Sequence, residues 1–382
     1  MKKYGVVVVI VLLVIIGYWM WSQSSASVVY IANTETSREL APDSTSLKSS
    51  VAPVASETNL ATVSSSKPIL DSQRLSKLMA SCDGSKIVHT LDEDEAAFEA
   101  QRDSYIDNMG KSDDALQQLA YFYLQKYATD QDKTQSLLAL SEQYPDNALV
   151  AYDALSYCNK FTDRCSVTDV ERLMKGHEND AAFWMQKASF LLQHKQEQQA
   201  LAAMEHIISE PLYFNAWAEH LAAFQQAYVT AGAADGVGTM MSALGLAARP
   251  IEGYQPVSSY CMELEETNAA GLDMCLRAGQ RMANSPSTMF VNSNGLSFQK
   301  RVYQLTNAEA GLAQVAEKRA EFDKIQREAS LMELLIYLDR KRYSDWLDNI
   351  RNAGQLEGTR ITTQQILLET QSPDFDPCVI DW

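Results

Sequence analysis

The sequence predicts an all-α protein, and three observations carry that reading. Ala120, Ala154, Ala188 and Ala222 stand 34 residues apart, each in the same apolar frame. Helical apolar patterns continue between 257 and 370, after the period itself has lapsed. No stretch alternates apolar and polar residues for the length of a useful strand. The expected architecture is a solenoid of antiparallel helix hairpins with additional C-terminal helices, preceded by one transmembrane helix and a disordered linker.

Residues 1–21 read as the membrane segment. Lys2 and Lys3 precede an uncharged run from Gly5 to Trp21, which as a helix would span about 26 Å at ~1.5 Å per residue. Trp19 and Trp21 would sit at the far interface, and the two lysines favour a cytoplasmic N-terminus. A cleaved signal peptide is the competing reading, with Ser24-Ser25-Ala26 as its small-residue site. The apolar run exceeds the ~7–15 residues of a signal core, which favours an uncleaved anchor. Residues 22–70 are rich in Ser, Thr, Ala and Val and contain Pro42, Pro53 and Pro68. They read as a flexible tether with a reach on the order of 40 Å.

Residues 71–112 are expected to form capping helices, one near 71–81 and a second ending around Asn108. Thr90-Leu-Asp-Glu93 has the form of a capping box for that second helix. The acids at 92–95 would then serve the helix dipole, a more economical reading than an acid–base pair.

Four units follow, 113–146, 147–180, 181–214 and 215–248. Four residues before each alanine stand Leu116, Val150, Trp184 and Ala218, and three after it Tyr123, Tyr157, Leu191 and Gln225. These spacings share a helical face, where a small residue lets two backbones approach. Second helices place Ala139, Leu173, Ile207 and Met241 at equivalent positions, and turns recur at Tyr144-Pro-Asp-Asn147, Asn179-Asp180 and Glu210-Pro211.

In the third unit Trp184, Ala188, Leu191, Ala200, Met204 and Pro211 resemble the tetratricopeptide repeat family, with the proline one residue early. Lys187 departs from that pattern, and the other three units are degenerate. The resemblance covers residues 113–248 and implies a partner groove lined by the first helices. The places it assigns to the groove include Tyr121, Leu124 and Gln125, then Leu155 and Asn159, then Met185, Ser189 and Gln193, then Glu219 and Gln226. The set lacks Lys and Arg, so a clamp for a peptide carboxylate is not expected. A mildly apolar, amide-rich groove suits an extended or helical segment of another protein. Inter-helix packing is the competing role for Leu124, Leu155 and Leu192.

Past the break at Arg249-Pro250 and Gly253-Tyr254-Gln255-Pro256, residues 249–382 are expected to form a helical region and tail. Helices are predicted at 257–284, 287–305, 307–339, 341–353 and 361–370, as diverged repeats or as a bundle packed on the stack. The tail from Ser372 is expected to be extended except where Cys378 and Trp382 dock.

Six cysteines fit an oxidising compartment. In the repeat frame Cys158 ends one helix and Cys165 starts the next, which predicts a bond across that turn. Cys261 and Cys275 bracket a turn near Asn268–Gly271 in the same manner, leaving Cys82 and Cys378 as a pair by elimination. Neither a redox Cys-x-x-Cys nor a zinc cluster has the required spacing.

The chain carries 49 Asp plus Glu against 32 Lys plus Arg, a net charge of −17, so nucleic acid is not an expected partner. The five histidines form no metal motif, although His206 and His220 fall on neighbouring helices. No nucleophile elbow or phosphate loop is present, and no cofactor or metal is expected. The function expected from these features is a scaffold or adaptor tethered to the bacterial inner membrane. Its bulk would be periplasmic, and it would hold other envelope proteins or their peptide segments. The alternative is an all-α periplasmic enzyme acting on cell-wall glycan or peptides through Glu263, Glu265 and Glu266. Self-association through the C-terminal bundle is a third possibility.

Overall fold

Asp114, Asn147, Asp180 and Asn215 each accept backbone N–H groups of the helix that follows, so every predicted unit opens on a side-chain N-cap. The computed structural model describes residues 84–127, 129–248, 253–379 and 381–382, all within a compact unit spanning 66–382. The expectations for the anchor at 1–21, the tether at 22–70, the helix near 71–81 and Cys82 lie outside the described residues. Those residues are all-α: helices are joined by turns, and the only β pairings described are two isolated bridges, Asp180–Leu212 and Asp339–Asp381. None of the described helices is long and apolar enough to cross a membrane.

The first helix, α1 (Gly84–Gly110), corrects the predicted start at Thr90. Thr90, the first residue of the capping-box pattern, lies inside the helix and not at its start, and Glu93, Asp94 and Glu95 are exposed mid-helix. The pattern recurs by chance because a helix interior tolerates Thr and Glu at that spacing.

Three hairpin units follow. They are α2 (Ala115–Leu124) with α3 (Asp130–Gln143), α4 (Ala148–Lys160) with α5 (Val167–Met174), and α6 (Ala181–Gln193) with α7 (Glu197–Ser209). The first helices pack in a row, α2 on α4 and α4 on α6. Ala120, Ala154 and Ala188 are buried at these crossings, at 0%, 1% and 0% exposure, where a larger side chain would hold the helices apart. Val150, Leu173, Ala200, Met204 and Ile207 are buried with them, whereas Ala139 is exposed.

The fourth unit departs from the expected stacking. Its helices α8 (Ala216–Thr230) and α9 (Val237–Ala247) leave the third unit, α8 packing along α2 and against α4 while α9 packs on α1. Ala222 is only half-buried and Met241 is exposed, so both are out of the frame their spacing predicts. Ala218 is buried as its place in the frame predicts, but it is joined by Leu221, Ala223, Phe224, Ala227 and Tyr228 and not by Ala222. Beside α6 and α7 stand α10 (Gln255–Glu263) and α11 (Ala269–Ala283), which take the place the fourth unit was expected to fill.

The predicted helix 257–284 is thus two helices, broken at 264–268, with Asn268 capping the second through Gly271 N–H. The chain continues through α12 (Met289–Leu305), α13 (Glu309–Tyr337), α14 (Arg340–Ala353) and α15 (Gln355–Glu369). α12 packs on α11 and α13, while α14 packs on α13, α15 and α8. Disulfides Cys158–Cys165 and Cys261–Cys275 clamp the α4–α5 and α10–α11 turns, with Cα–Cα distances of 5.4 and 5.6 Å. Cys378 is disulfide-bonded as well.

Candidate functional site

The first-helix face assigned to a partner by the repeat resemblance is largely inside the protein. Leu155, Asn159, Met185 and Ser189 are buried, at 1%, 4%, 0% and 0% exposure. Asn159 donates to Gln186 O at 3.0 Å and to Gln186 Oε1 at 2.7 Å, tying α4 to α6. These residues are therefore packing elements, a correction to their expected role in the groove. Tyr121, Leu124, Gln125 and Glu219 are half-buried, and only Gln193 and Gln226 are exposed. Gln193 donates to Asn159 O, Gln226 to Thr230 Oγ1, and the Glu219 carboxylate takes two hydrogen bonds from Arg351 on α14, each of 3.0 Å.

Over α2 and α4 the face is covered by α8, which docks through a polar centre. His220 Nε2 lies 2.8 Å from Asp153 Oδ2, and Tyr123 Oη donates to the same oxygen at 2.8 Å. Asp153 is 0% and His220 1% exposed. Their remaining atoms, Asp153 Oδ1 and His220 Nδ1, have no partner among the described residues. A histidine–carboxylate pair of this kind also occurs in hydrolytic relays, but a relay needs an open site and a nucleophile at the second ring nitrogen. Here Phe224 and Tyr123 stand against the ring, with centroid distances of 5.3 and 6.3 Å, and solvent is excluded. The arrangement specifies how α8 seats on α2 and α4, a role in which buried polar pairs trade stability for register.

A second buried polar group lies at the junction of α4, α6 and the 210–214 connection. Tyr152 and Tyr254 share a 2.6 Å hydrogen bond between their hydroxyls, and burial pushes both upward in pKa, Tyr254 to about 12. Asp180 Oδ1 accepts from Ala182 N at 2.8 Å and Phe214 N at 3.0 Å. Burial raises its carboxyl while those backbone donors pull the other way. His177 stacks on Phe183 at 4.4 Å, and burial lowers its ring below the usual histidine value.

No family model matches the chain, and no curated protein or solved structure matches it at a significant level.

His206 and His220 have separate partners. His206 stacks on Trp184 at 3.8 Å and pairs with Glu210, while His220 belongs to Asp153. Glu263, Glu265 and Glu266 are all exposed, and among the described residues no cluster of His, Cys, Asp and Glu could hold a metal ion. The Asp153–His220 contact was missed by sequence reasoning, although one signal was available. Asp153 is the single charged residue in the run Ala148–Asn159, where an unpaired carboxylate would be costly to bury.

Proposed function

We propose that this protein is a helical scaffold of the bacterial envelope, anchored in the inner membrane through residues 1–21, that holds other proteins on the exposed sides of a tetratricopeptide-like stack. The observation that carries the reading is the recurrence of one hairpin unit across α2–α7, with a buried alanine and a capped start in each. The stack takes in α10–α12 after α7, while α8–α9 lies against its first helices as an internal brace. Disulfides at Cys158–Cys165 and Cys261–Cys275 suit an oxidising compartment. Because Leu155, Asn159, Met185 and Ser189 are packed inside, partners meet the accessible residues Gln193, Gln226, Tyr121 and Gln125. A stacked helical surface of this kind binds by complementarity along its length, needing neither metal nor cofactor.

In-cell crosslinking of the membrane-bound protein followed by mass spectrometry tests this. The expected result is reproducible crosslinks from the α2–α8 surface to one or a few envelope proteins, reduced by Gln193→Arg on α6 and Gln226→Arg on α8. Crosslinks no richer than those of an unrelated anchored protein would overturn it, as would turnover of cell-wall glycan or peptides by the purified chain.

A further inference from the structure

We draw no further inference here: the strongest candidate, the buried cluster of Asp153, His220 and Tyr123 between α2, α4 and α8, whose Asp153 Oδ1 and His220 Nδ1 have no partner among the described residues, belongs to the seat of α8 already described.

Discussion

Asp153 and His220, 67 residues apart in the chain, meet at 2.8 Å in a place that solvent does not reach. The contact joins α4 of the hairpin row to α8, the helix that left the row. Tyr123 on α2 adds a donor to the same carboxylate oxygen, so one oxygen organises three helices. Apolar surface alone would let α8 slide along its neighbours, whereas a shared oxygen with two directional partners fixes its register.

His220→Ala is therefore expected to cost about 3 kcal/mol, because it leaves a buried carboxylate with a single donor. Tyr123→Phe should cost about 1 kcal/mol, the usual net worth of one hydrogen bond. Urea unfolding of the two single variants and the double variant measures this. A coupling energy indistinguishable from zero would show that the shared oxygen does not organise the three helices.

The alanine period gives a second test. Ala188 is fully buried where α6 crosses its neighbours, and Ala222 is half-buried on α8. Ala188→Leu is expected to cost about 1–3 kcal/mol by overpacking, and Ala222→Leu less than about 0.5 kcal/mol. Equal costs would mean that the 34-residue spacing marks the same environment in both units. Leu155→Ala belongs with the first class, at about 2–5 kcal/mol, since Leu155 is in the core.

This contrast shows what the sequence could and could not specify. Spacing and turn residues locate helices well, because capping and apolar periodicity are local: Asp114, Asn147, Asp180 and Asn215 open the four predicted first helices. Which helix lies beside which is decided by contacts far apart in the chain. An alanine in α8 satisfies the period equally well whether the helix stacks on α6 or folds back onto α2. The signs of departure were the glycines at 236 and 238 and the weak Gln225 place. A Cβ on Gly238 would lie 2.7 Å from Phe98 Cβ, so that glycine is there to let α9 approach α1. The turn disulfides were legible for the opposite reason, since both partners lie within one hairpin. The groove residues were not, because burial of Leu155, Asn159, Met185 and Ser189 depends on tertiary neighbours.

A pH dependence follows from His177. Its ring is held below the usual value of 6.5, first of all by burial, and Nε2 has no partner among the described residues. The folded state thus prefers the neutral ring, opposed by the nearby carboxylates of Asp180, Glu178 and Asp146. A depressed histidine contributes stability above its unfolded value, and that stability is lost as pH falls through the folded value. Wild-type melting temperature should accordingly fall below pH 6.5 more steeply than that of His177→Phe, which keeps the stacking on Phe183. Parallel pH profiles for the two proteins would remove His177 from the account.

In the C-terminal helices, α11 and α12 cross backbone to backbone at Gly279 and Gly295. A Cβ on Gly295 would stand 2.6 Å from Gly279 O, and one on Gly279 would stand 2.8 Å from Gly295 O, so each glycine makes room for the other's carbonyl. Gln299 Nε2 donates to Gly279 O at 3.0 Å and Asn292 Nδ2 to Met282 O at 2.9 Å, bonds that hold only while the helices are this near. Gly295→Ala must push backbone away from backbone, and the expected cost is about 2–3 kcal/mol with those bonds lengthened. Gly245 supplies the control, because a Cβ there on α9 meets nothing within 4 Å. Gly245→Ala gains helix propensity and should stabilise by up to about 1 kcal/mol. Thermal unfolding of the two variants reads the difference, and a Gly295→Ala protein as stable as wild type would mean that α11 and α12 do not cross at this distance.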